Sequence, residues 1–166
     1  MTDTLTAAAR SERMARVRSK DTKPEKCVRT FLHGAGLRYR LHRRIADTRP
    51  DLIFPSRKIA VFIHGCMWHQ HPDPTCKLAR IPKSRPEFWR PKLQGNRERD
   101  ERQLVSLETV GWTVLTVWEC QTRDREILAL LADRIRAIRP HPLGGRGDPQ
   151  ETTEMPAERS TGTRRR

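Results

Sequence analysis

The stretch RPDLIFPSRKIAVFIH, residues 49–64, decides the fold. It holds two apolar runs, Asp51 to Phe54 and Lys58 to His64, separated only by Pro55-Ser56-Arg57. Both runs have strand length and strand composition, and a three-residue link of these types suits a tight turn, so an antiparallel pair is expected. A hairpin brings the start of one strand beside the end of the next, which predicts that Asp51 and His64 are neighbours. Just upstream, Leu37, Tyr39 and Leu41 alternate with Arg38 and Arg40, as in a strand with one wet face, and the three strands form a meander.

Helices are expected on either side of this meander. Thr22-Lys23-Pro24-Glu25 reads as a capping box that opens a helix with the stripe Val28, Phe31, Leu32 and Ala35, ending at Gly34 and Gly36. Cys27 falls within that helix and reads as a small core residue. Ser84-Arg85-Pro86-Glu87 is a second capping box, and Phe88, Leu93, Leu104 and Leu107 suggest one or two helices up to Gly111, with a break near Gly95-Asn96. Trp112 to Trp118 is a fourth strand, and a last helix from Asp124 carries Leu128, Leu131, Ile135 and Ile138 before Pro140. Trp89, Trp112 and Trp118 are assigned to the core. The order of elements predicts an α/β domain with a mixed sheet flanked by helices.

A chain of 166 residues suits one domain with loose ends. The division expected is a basic N-terminal arm at 1–20, a folded domain at 21–139 and an unpacked tail at 140–166. The net charge is +14, and because the tail holds five Arg against four acidic residues, +13 of it lies on residues 1–139. A folded domain this basic points to a polyanionic partner, with nucleic acid favoured over a membrane surface. No apolar run approaches the roughly 20 residues of a spanning helix, and the N-terminus lacks the apolar segment of a signal peptide, so a cytoplasmic protein is expected. The four Cys are then read for metal before disulfides.

Residues 64–71, HGCMWHQH, place three of the chain's six His with a Cys and a Trp. They open a 19-residue stretch, 65–83, that has no periodicity and holds three Pro and two Cys. A loop of that length needs something to order it. Cys66, His71 and Cys76 have loop spacings compatible with zinc, and Cys120, after the fourth strand, would close a tetrahedral site. Four protein ligands leave no open position, so this zinc would be structural. Phosphodiester hydrolysis would need a second, oxygen-bound ion such as Mg2+, with Asp51 and His64 at its disposal.

Arg10-Ser11-x-x-Met14, Asp21-Thr22-x-x-Glu25-Lys26, Arg49-Pro50-Asp51, Phe62 to His69, Glu87-Phe88-Trp89, Asn96-x-x-Arg99-Asp100 and Gly111-Trp112-x-Val114-Leu115-x-Val117-Trp118-Glu119-Cys120 occur in this order. Over residues 10 to about 138 the chain resembles the very short patch repair (Vsr) endonucleases of bacteria. The resemblance implies a restriction-endonuclease-like fold and cleavage of one DNA strand 5′ to the T of a T:G mismatch left by deamination of 5-methylcytosine. It implies Asp51 as a Mg2+ ligand, helped by the main-chain carbonyl of Ile63, where well-known members have Thr. It further implies His69 as base for the attacking water, with His64 and Glu25 supporting the water and phosphate network and Asp100 as partner for a His. Both His64 and His69 are candidates for the base. Met14, Met67 and Trp68 match intercalating positions, with Met67 in place of the usual Phe.

Arg80, Lys83, Arg85, Arg90, Lys92, Arg97, Arg99 and Arg102 would grip phosphates or form a solvated helix face. Asp100, among arginines, could equally form a surface salt bridge. Two further readings stand beside mismatch nicking. One is a restriction or defence nuclease of the same fold, which needs no wedge; the other is a non-catalytic zinc-dependent DNA-binding module. The expected partners are duplex DNA carrying a T:G mismatch and mismatch-repair proteins, for a monomer associated with the nucleoid.

Overall fold

A computed structural model describes residues 20–83 and 85–141. The capping box at Thr22 and Glu25 forms as expected, with Pro24 in the first turn of helix α1, Lys23–Gly34. A short strand β1, Arg40–Leu41, pairs antiparallel with β2, Leu52–Phe54, which pairs antiparallel with β3, Ile59–His64. The link between β2 and β3 is a 3-10 turn, Pro55–Arg57, closed by Lys58 in a left-handed conformation. Helix α2, Pro86–Thr109, leads to β4, Thr113–Trp118, and helix α3, Arg125–Ala137, follows with Asp124 as its N-cap.

The four strands lie in the order β1-β2-β3-β4, and β3 and β4 run parallel, from Ile59 opposite Thr113 to His64 opposite Trp118. A parallel neighbour requires a long crossover. Here the loop after β3 and the whole of α2 supply it, so the C-terminal ends of both strands and the start of the crossover loop lie at one end of the sheet.

Alternation along the strands divides the core between two faces. Leu52, Phe54, Ile59, Val61, Leu115 and Val117 pack with Val28 and Leu32 of α1 and Leu128, Leu131 and Ile135 of α3. Ile53, Ala60 and Phe62 face the other way, toward Leu107 of α2, with Trp112 and Val114 against them. The mixed sheet with helices on both faces is the α/β class expected. None of the described helices is long and apolar enough to cross a membrane.

Several expectations need correction. Cys27 is exposed, because the buried stripe of α1 is Glu25, Val28, Arg29 and Leu32, and Cys27 lies off that spacing. The strand expected from Leu37 to Leu41 pairs only at Arg40 and Leu41. There is no break at Gly95-Asn96: α2 is a single helix of 24 residues. Its N-cap is Arg85, left-handed and without a side-chain cap bond, in place of the capping box expected from Ser84, which lies outside the described residues. Phe88 and Leu104 are exposed; Leu93 and Leu107 are buried, with Asn96 between them.

Candidate active site and metal cluster

Asp51 stands in the bend before β2 and is held from β3. Its Oδ2 accepts the Ile63 N–H at 2.7 Å, which places the carboxylate one residue from His64 along the strand. Burial pushes the Asp51 carboxyl up to about 6, and the nearby Glu25 charge adds to that, while the Ile63 N–H and Arg29 pull it down. Glu25 is buried, and its carboxylate accepts from the Asp21 N–H at 3.1 Å and the Thr22 hydroxyl at 2.9 Å. The capping role and a place beside Asp51 are therefore held by the same side chain.

His64 ends β3, and the turn that follows folds back onto it. The His69 N–H bonds to the Gly65 carbonyl at 3.1 Å and the His71 N–H to the Cys66 carbonyl at 2.9 Å. This stacks His69 on His64, ring centroids 4.0 Å apart and planes within 6°. His69 Nδ1 meets Asp100 Oδ2 at 2.6 Å, reaching across to α2. Arg99 approaches Asp100 only to 3.8 Å, so the His contact dominates over the surface salt-bridge reading. Burial, then the adjacent His69, holds the His64 pKa down to about 4. An open cavity of about 230 Å³ lies against these rings, lined also by Phe62, Arg97, Leu104 and Trp118.

The four cluster residues converge as their spacing suggested. One ligand atom from each of Cys66, His71, Cys76 and Cys120 lies within 4.8 Å of the others. Among the described residues, His71 Nδ1 is a buried side-chain nitrogen without a hydrogen-bond partner. The Cys120 N–H points at Cys66 Sγ at 3.4 Å, as amides do toward metal-bound thiolates. An orphaned imidazole nitrogen beside three sulfurs fits a soft, tetrahedral ion.

Trp118 belongs to neither core cluster. Its ring lies edge-on to His64 at 5.4 Å and to His71 at 4.5 Å, so it forms the wall between the His pair and the cysteine cluster. Trp89 is likewise half-buried, edge-on to Trp68 at 5.8 Å and to the exposed Phe88 at 5.2 Å. Only Trp112 packs on a core cluster as expected. Met67 is half-buried in the same turn as Trp68, whose carbonyl accepts from Asn96 Nδ2 at 2.9 Å. Met14 lies outside the described residues. Sequence reading missed Asn96, Trp89 and Trp118 as site residues. A signal for the first existed: Leu93, Asn96, Asp100, Gln103 and Leu107 recur at helical spacing, a buried to half-buried stripe whose middle is polar because it faces the site.

The profile of the family described as DNA mismatch endonuclease Vsr matches residues 2–75. Over 138 residues the chain is 46% identical to the type II nicking enzyme V.XorIIP of Xanthomonas oryzae pv. oryzae, spanning 83% of this chain and 97% of that one. It is 40% identical over 128 residues to the DNA mismatch endonuclease Vsr of Escherichia coli K12, spanning 77% and 80%. In structure it is similar to the catalytic domain of the homing endonuclease I-Bth0305I, with a TM-score of 0.46 and 18% identity, over 71% of this chain and 94% of that domain. An α/β chain with this site and these relatives is a DNA endonuclease. It belongs to the Vsr family of DNA mismatch endonucleases.

Proposed function

We propose that this endonuclease nicks one strand of duplex DNA 5′ to the T of a T:G mismatch, with Mg2+ at Asp51 and a structural Zn2+ at Cys66, His71, Cys76 and Cys120. The observation that carries the reading is the Asp51 carboxylate held on the Ile63 N–H, the residue before His64 on β3, with the His64 ring stacked on the His69–Asp100 pair beside the turn that holds Trp68. In an extended strand the N–H and C=O of one residue face the same neighbour. The Ile63 N–H bonded to Asp51 therefore argues that its carbonyl faces that side too, as a hard-cation site would need. A partly buried carboxyl whose pKa is raised to about 6 also favours an added positive charge. Mg2+ bound there would neutralise phosphate charge and lower the barrier to attack by water.

The chain's own residues divide the remaining work. A carboxylate only accepts hydrogen bonds, so the Asp100 contact keeps the proton on His69 Nδ1 and leaves Nε2 to take a proton from water. His64, neutral at physiological pH, stacks on that ring without opposing the charge His69 gains. This favours His69 over His64 as the base. Glu25 orders the water network beside Asp51. Trp68 and Met67, with Met14, open the base stack, and the cationic residues of α2 hold the backbone.

The test is strand nicking of labelled duplexes, T:G-mismatched and fully matched, with Mg2+, with EDTA, and with Asp51→Ala. Mg2+-dependent nicking beside the mismatched T, lost in Asp51→Ala, is expected. Cutting of both duplexes would replace this reading with a restriction-type nuclease, and binding without cutting with a DNA-binding module.

A further inference from the structure

The buried stripe of α1 contains a cation, Arg29, with its side chain 10% exposed. Its guanidinium donates from Nη2 to Glu25 Oε2 at 2.5 Å and from Nη1 to the Asp21 carboxylate. The same Nη2 lies 3.0 Å from His42 Nε2. The Arg29 backbone is fixed as well, since its carbonyl accepts the Tyr39 hydroxyl at 3.1 Å.

His42 is where this network reaches the other half of the site. It follows β1 in a left-handed conformation, φ 48°, and its N–H donates to the Asp51 carbonyl at 3.3 Å. One side chain thus joins the helix that carries Glu25 to the residue that pairs with Asp51. Asp21, Glu25 and His42 are close enough together to suggest a cation site, but the guanidinium already lies among them. That cation is covalently fixed, so the group serves placement.

We propose that Arg29 is a positioning residue of the nicking reaction, locking α1 to the β1–β2 edge through His42 and thereby setting Glu25 beside Asp51. This rests on the nuclease reading above. Arg suits the position because its planar fork spans two carboxylates and a ring nitrogen at once. Lysine keeps the charge but offers a single point, so Arg29→Lys should retain the fold while loosening the set.

The experiment uses the full chain with T:G duplex and compares wild type, Arg29→Lys, Arg29→Ala, Glu25→Gln and the Arg29→Lys, Glu25→Gln double variant. Arg29→Lys should melt cooperatively and bind the T:G duplex in Ca2+ within about threefold of wild type. Its single-turnover nicking should fall by about 10- to 100-fold, the range for removing an outer partner that holds a metal site's surroundings in place. In the Glu25→Gln background the same change should cost little more, because residues acting as a unit are not additive. Independently of turnover, ¹⁵N spectra of His42 should show the Nε2 of wild type as a hydrogen-bond acceptor and should change in Arg29→Lys. Added guanidinium should restore part of the nicking of Arg29→Ala. Normal nicking by Arg29→Lys, full additivity with Glu25→Gln, or an unchanged His42 signal would each overturn the proposal. Failure of the wild type itself to nick the T:G duplex would instead overturn the function on which it rests.

Discussion

His69 Nδ1 lies 2.6 Å from Asp100 Oδ2, across a gap of 31 residues in sequence and between two different elements. The contact sets the ring orientation and tautomer of the proposed base. Asp100→Ala should therefore reduce single-turnover nicking by about 10²-fold, within the range general-base catalysis contributes. Affinity for the T:G duplex in Ca2+ should be unchanged, and equal losses in nicking and binding would show that Asp100 serves the fold instead.

Asp51 gives a pH-dependent prediction. Its folded-state pKa is raised from 3.8 to about 6, chiefly by burial. An acid raised on folding favours the folded state while protonated, so its contribution is present below pH 3.8 and is lost as pH rises through about 6. The difference corresponds to on the order of 3 kcal/mol. Asp51→Asn lacks this cost. In Mg2+-free buffer with zinc retained, it should be more stable than wild type at pH 8 by up to that amount, with the gap closing toward pH 4. Denaturant melts at the two pH values measure it, and a gap independent of pH would exclude titration of Asp51 as the cause.

The cysteine cluster predicts one zinc per chain. His71 Nδ1, buried and otherwise unpartnered, is the most telling of the proposed ligands, since His71→Ala removes the orphan and the proposed ligand together. Elemental analysis should find about one Zn per wild-type chain and substantially less in His71→Ala. Because metal binding is folding free energy in such sites, the variant and a zinc-stripped wild type should lose the cooperative melt. A metal-free preparation that still melts cooperatively would refute the structural role.

Gly65 tests the turn that carries the proposed wedge. A Cβ there would meet Trp68 Cδ1 at 3.1 Å and Glu119 Oε2 at 3.7 Å. Gly65→Ala must therefore move Trp68 by a few tenths of an ångström, an overpacking cost of about 1 kcal/mol. We expect an intact fold, a shifted tryptophan fluorescence and about fivefold weaker T:G binding with matched-duplex binding unchanged. Equal weakening on both duplexes would mean that Trp68 is not a mismatch-reading group.

Strands were legible where alternation and turn chemistry agreed. Residues 49–64 read as a hairpin because Pro55-Ser56-Arg57 leaves no room for anything longer, and Thr22 with Glu25 formed the capping box. Helix α2 was misread because Gly95 and Asn96 look like a breaker. Asn96 is buried instead, with its amide on the Trp68 carbonyl. Trp118 was assigned to the core, but strand alternation turns its ring toward His64 and His71, away from Leu115 and Val117.

The sequence by itself determined the elements, the basic character and the residue types available for chemistry, because periodicity, capping and spacing are local properties. Family membership was also legible there, in the order of its motifs. Tertiary structure decided how the expected partners come together. Asp100 reaches His69 only because the crossover lays α2 across the end of β3, and Cys120 reaches Cys66 only because β4 runs parallel to β3. The role of Arg29 was invisible in the chain because a cation in an apolar stripe is costly unless carboxylates are folded around it, and that pairing exists only in three dimensions.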